Sequence, residues 1–112
     1  MGRPTIAIDD LLKQMLEAAK IVLKTQWKQV KPMAELQLRS TLINLELIAE
    51  LKLRGKITKE QAALHIEIQK QSIRTTLLSF EGIGIVAAEK ALNAALSAAR
   101  TVINKSIGWK II

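Results

Sequence analysis

Apolar residues recur along most of this chain at spacings of three and four, the period of an α-helix, and proline and glycine divide them into four blocks. The first block, "IDDLLKQMLEAAKIVLKTQWKQVK", covers residues 8 to 31. At about 100° per residue, Ile8, Leu12, Met15, Leu16, Ala19, Val22, Leu23 and Val30 share one broad face. Lys13, Lys20, Lys24, Lys28 and Lys31 line the opposite face, with Glu17 among them and Trp27 at the border. Asp9 and Asp10 suit the positive end of the helix dipole. Pro32 has no amide proton and its ring crowds the preceding turn, which predicts that the helix ends or kinks there.

The second block, "PMAELQLRSTLINLELIAELKLR", spans residues 32 to 54 and is rich in strong helix formers. It carries two apolar stripes on roughly opposite sides. Leu36, Ile43, Leu47 and Leu51 make one; Leu38, Leu42, Leu45, Ala49 and Leu53 make the other. Such a helix is expected to lie between two layers, with Leu38, Leu42, Leu45 and Leu53 as a subunit-interface stripe. Gly55 stops it, after Lys52 and Arg54 in the last turn. The third block, residues 55 to 80, opens with the capping-box pattern Thr58-x-x-Gln61. Ala62, Ile66, Ile73, Leu77 and Phe80 run along one face, and the middle, "QKQS", is polar. "RGKIT" leaves room only for a tight turn, so the second and third helices are expected to be antiparallel neighbours.

Gly82 and Gly84 precede a fourth helix predicted over residues 85 to 105. Gly84, Ala88, Ala91, Ala95, Ala98 and Val102 recur at spacings of 4, 3, 4, 3 and 4, a heptad-like seam of small side chains. Ile85, Leu92, Leu96, Ala99 and Ile103 form a bulkier seam beside it. Small residues let two helix axes approach closely. An antiparallel neighbour inside one monomer would satisfy the seam, and so would a second subunit. The apolar arc is wider than one neighbouring helix covers, which favours the second subunit.

Composition sharpens this picture. A chain of 112 residues makes one domain, residues 1 to 112, with a modest core. Yet 49% of it is apolar, an excess that a wide core, a subunit interface or a membrane would absorb. No stretch of about 18 residues is both apolar and uncharged, so no conventional membrane span is expected. The start, "MGRPTIAIDD", lacks a signal-peptide core, and Ile6 stands where a myristoylation signal at Gly2 wants Ser or Thr. Synthesis in the cytoplasm, with assembly into a larger particle, follows as the expectation.

Chemistry is sparse. The chain has no cysteine and one histidine, His65. A di-iron site wants Glu-x-x-His twice, and position 62 is alanine. Glu46 and Glu50 have the spacing of a shared metal but also that of solvated or ion-paired residues. "EGIGIVAAEK" lacks the lysine-serine end of a Walker loop and the third Rossmann glycine. No catalytic, cofactor or metal residue is assigned, and no small-molecule substrate is expected.

The net charge of +7 attracts phosphates and anionic lipid. The basic face of the first helix would suit a nonspecific nucleic-acid contact or an anionic lipid surface, and equally a solvated exterior. The expected fold is therefore all-α: a small four-helix bundle or extended helical hairpins, packed into an oligomer. The expected function is that of a non-enzymatic structural subunit that self-assembles through helix packing. A membrane-active or lipid-surface protein is the alternative, and a nonspecific nucleic-acid binder is the third. By analogy of architecture alone the chain reads as a component of an assembly such as a virion or a secretion apparatus.

Overall fold

A computed structural model describes residues 6 to 112. Gly2 and the rest of residues 1 to 5 lie outside it. The described residues are all-helical, without a strand: α1 is Ile8–Leu23, α2 Trp27–Leu53, α3 Lys59–Leu78 and α4 Ile85–Ile107, with one 3₁₀ turn, Lys24–Gln26, between α1 and α2. The chain measures 45 × 25 × 19 Å and has one core.

The first break falls eight residues before the expected one. Pro32 sits inside α2, and the chain reverses at Lys24–Gln26 instead. Lys24 has φ 52° and ψ −117°, torsions that crowd a Cβ and suit glycine. Pro32 is tolerated near the start of α2 on its exposed side; the carbonyl it leaves without an amide partner is that of Lys28, itself an exposed residue in the first turn. The reversal brings α2 back along α1. Arg39 Nη1 donates to Asp9 Oδ1 at 3.0 Å across thirty residues of sequence. The expected first helix is thus the first arm of a hairpin and part of the second.

The remaining boundaries follow local chemistry. Gly55, at φ 65°, ends the α2 region as expected. Thr58 caps α3: its Oγ1 accepts from Gln61 N at 3.1 Å, and Gln61 Oε1 accepts from Thr58 N at 2.9 Å. Gly108 closes α4 in the left-handed region, its amide donating to the Asn104 carbonyl at 2.8 Å.

Successive helices run antiparallel. Gln37, Thr41, Gln69 and Ser72 form a polar line between α2 and α3: Thr41 Oγ1 is 3.1 Å from Gln69 Oε1, and Ser72 Oγ donates to Gln37 Oε1 at 3.2 Å. The polar middle of α3 therefore sets its register on α2. Arg74 and Glu89 join α3 to α4 as a forked ion pair, with Arg74 Nη2 3.2 Å from Glu89 Oε1. Lys52, at the end of α2, donates to the Ile107 carbonyl at 2.7 Å, placing positive charge at the negative end of α4. The same Nζ lies 4.8 Å from the Trp109 ring centroid. Asn104 holds the tail, accepting from the Ile111 and Ile112 amides at 3.1 and 3.2 Å.

Two predictions follow from these contacts. Lys24 is exposed, so Lys24→Gly removes backbone strain and should raise stability by roughly 1 kcal/mol in urea unfolding. Lys28→Gly, inside α2, should lower it by about 1 kcal/mol.

The second concerns acid. The hydrogen bond from Arg74, aided by its charge, holds the Glu89 carboxyl below its ordinary value of 4.5. A depressed carboxylate stabilises the fold above its unfolded value and loses that contribution as pH falls through the folded one. Glu89→Gln should therefore unfold at lower urea than the parent at pH 7. The gap between them should close as the pH falls below about 4.5.

Candidate functional site

The small-residue seam lies at the centre of the fold. Ala88, Ala91 and Ala95 are buried, Ala98 is half-buried, and Gly84 and Val102 at the two ends are exposed. Ala91 and Ala95 face Ala19 of α1 and Ala34 of α2 around an apolar void of about 20 Å³, completed by Leu38, Leu92 and residues of α3. The bulkier seam is also inward at Leu92, Leu96, Ala99 and Ile103, although Ile85 is exposed. The wide arc of α4 does meet several partners. They are α1, its most extensive contact, and then α3 and α2 of the same chain. The middle of the seam is covered within one molecule, which corrects its expected place between subunits.

The two stripes of α2 exchange roles. Leu38, Leu42 and Leu45, expected at an interface, are buried in the core, and Leu53 is exposed at the end of the helix. The other stripe points outward. Leu36 is 61% exposed, Ile43 52% and Leu47 51%, while Leu51 is half-buried. Met33 and Ser40, also exposed, complete the spacing 33, 36, 40, 43, 47. On the outer side of neighbouring α3, Leu64 and Ile68 are exposed as well. The result is an apolar surface spread over two adjacent antiparallel helices. The pattern that marked it was visible in the sequence; the direction in which it points was not.

The lysine face is divided. Lys13 and Lys20 stand on α1, Lys24 at the turn, and Lys28 and Lys31 on α2; all five are exposed. Lys13, Lys20 and Lys31 border a groove of about 370 Å³ between α1 and α2, together with Arg39 and the acids Asp9, Glu17 and Glu35. Basic and acidic groups alternate there, so the groove has no uniform positive field. Trp27 is buried in the core, not poised at a border. Trp109 is half-buried against the core.

His65 is exposed on α3 beside Leu47, Leu51 and Ile57. Glu50 pairs with Arg54 at 3.1 Å. Among the described residues no three His, Cys, Asp or Glu side chains converge as metal ligands, and no helix is long and apolar enough to cross a membrane.

The class that these features define is an all-α, bundle-like protein with an apolar outer face. Comparison with protein-family models, curated proteins and solved structures gives no match to this chain.

The central void sets a test of the seam. An isobutyl group does not fit about 20 Å³, so Ala95→Leu should overpack and cost roughly 1–3 kcal/mol. Helix propensity hardly changes. Because the contact is internal, the loss in thermal stability should be the same at every protein concentration. Asn93→Leu, on the exposed side of α4, should cost little.

Proposed function

We propose that this chain is a non-enzymatic structural subunit: a four-helix bundle that assembles into a homo-oligomer through the outer face of α2. The observation that carries this reading is the exposed stripe Met33, Leu36, Ser40, Ile43, Leu47. Single exposed apolar side chains are ordinary on protein surfaces. A run of them in helical register, widened by Leu64 and Ile68 on the next helix, is the kind of contiguous patch that marks an interaction surface. Its 3-4 spacing is that of a helix-packing seam.

The internal seam of α4 adds to the argument. Its central alanines already have partners; exposed apolar side chains also stand on α1 at Ile21 and on α4 at Ile85, Val86 and Val102, but the run in helical register is the one on α2, flanked by Leu64 and Ile68 of α3. The basic groups do not gather into one stripe, and the tryptophan that would have anchored a lipid-surface helix is in the core. Self-assembly requires no cofactor and no small-molecule substrate. A place in a larger particle, such as a virion or a secretion apparatus, is compatible with it.

Sedimentation equilibrium over a range of concentrations tests the proposal. The parent chain should show a mass above that of the monomer. Leu36→Glu combined with Ile43→Glu should return it to a monomer with unchanged helix content, because neither side chain contributes to the core. A parent chain that stays monomeric at all concentrations would end the proposal.

A further inference from the structure

We propose that the occupant of this face is a second copy of the chain, docked antiparallel about a two-fold axis. The axis passes between Ser40 and Ile43 of α2 and beside Ile68 of α3. The inference rests on the self-assembly reading and gives it a partner, a direction and a register.

The first argument is the seam itself. In an antiparallel pairing, residues equidistant from the axis meet across it. Leu36 then meets the partner's Leu47, and Ser40 meets the partner's Ile43. A small residue stands opposite a branched one, and leucine opposite leucine. Toward the end of α2 the same heptad positions continue as Glu50 and Arg54, which are polar, so the seam stops after Leu47. A finite seam with its own two-fold axis closes as a dimer and does not propagate into a filament.

The second argument is charge. Arg39 and Glu46 flank the seam on one side, seven residues apart on α2. Antiparallel docking on this axis leaves Arg39 and the partner's Glu46 two residues, about 3 Å, apart along the helix at 1.5 Å per residue, a gap their long side chains span, and the symmetry makes the pair twice. Parallel docking in register offers no such match: Arg39 would face the partner's Asn44, and Glu46 the partner's Leu51. Arg39 already bonds to Asp9 at 3.0 Å, but Asp9 is 88% exposed, and an exposed pair of this kind holds a side chain only weakly. Arg39 is therefore available to both acids.

The third argument comes from α3 and is independent of the heptad. The contacts Thr41–Gln69 and Gln37–Ser72 fix which residues of the two helices are level. The midpoint between Ser40 and Ile43 is level with residues 68 and 69. Ile68 is 56% exposed at that height, on the outer side of α3. An axis placed from the α2 seam alone thus sets Ile68 opposite the partner's Ile68. Leu64, 63% exposed and one turn away, extends the same contact. Two helices expose their apolar residues where one axis needs them.

The chain has no cysteine, so single cysteines report geometry cleanly. Leu36→Cys, Leu47→Cys and Ile68→Cys are made in the full chain and oxidised mildly. Ile68→Cys should cross-link to itself. Leu36→Cys alone and Leu47→Cys alone should not, because each lies about 16 Å along the helix from its own copy at 1.5 Å per residue, beyond disulfide reach. A mixture of the two should cross-link to each other. Reversing charge gives a second readout. Arg39→Glu alone and Glu46→Arg alone should each weaken association by about tenfold or more, and mixing the two variants should restore it.

Self-cross-linking of Leu36→Cys and of Leu47→Cys, with no mixed product, would show a parallel pairing and overturn the inference. A parent that is dimeric by mass, with no cross-link from any of the three, would place the interface elsewhere. It would overturn the inference while leaving self-assembly standing. A monomeric parent would remove the self-assembly reading itself.

Discussion

The close approach of helices at Ala19, Ala34, Ala91 and Ala95 is the constraint on which the rest of the fold depends. Four alanines from three helices border one small void. A larger side chain at any of these places would hold the helices apart. With the axes drawn together there, the bulky residues have to fill the layers around the centre. Met15, Leu42, Leu45, Ile66, Leu92 and Ile103 do so, each almost wholly removed from water. Small residues where backbones approach, and large ones where they diverge, is how a core reaches crystal-like density without strain. The same arrangement uses the middle of both apolar seams of α4, Ala88 to Ile103, and leaves Ile85, Val86 and Val102 exposed. It leaves on the outside of α2 and α3 a run of apolar side chains, Met33, Leu36, Ile43, Leu47, Leu64 and Ile68, that point outward.

Much of the fold could be read from local chemistry. The capping box at Thr58, the glycine at position 55 and the start of α4 after Gly84 stand where the sequence places them, because each is set by its own side chain or by the lack of one. The turn at Lys24 could not be read this way. Leu23, Trp27 and Val30 carry the helical period straight through the break, with no change of phase and no glycine. What bends the chain there is tertiary: α2 must return along α1 to cover the same core. The proline that looked like the breaker is tolerated because it faces solvent.

The inward direction of α2 was hidden for a related reason. Both of its stripes contain leucines, so hydrophobicity alone does not choose between them. The difference lies in the company they keep. The buried stripe runs beside Ala34, Thr41 and Ala49, small residues that let neighbouring helices come close. The outer stripe includes Ser40 but is otherwise built of large side chains. The proposed interface was therefore legible as a pattern and illegible as a direction. The α4 seam was the reverse case: its small residues did announce close packing, and only the identity of the neighbour had to come from the structure.

Charge bears on how two such molecules could meet. Each copy carries a net charge of +7, so at distances beyond contact two copies repel one another, and salt screens that repulsion. Attraction on the α2 face has to come from removing Leu36, Ile43 and Leu47 from water, a short-range effect that ionic strength does not weaken. In the proposed contact Arg39 and Glu46 would select direction more than they add affinity. The lysines of α1, its turn and α2 face other ways and keep the assembled surface hydrated. On this view the basic composition and the apolar face are complementary: the first limits indiscriminate association, and the second permits one pairing that is good enough to overcome it.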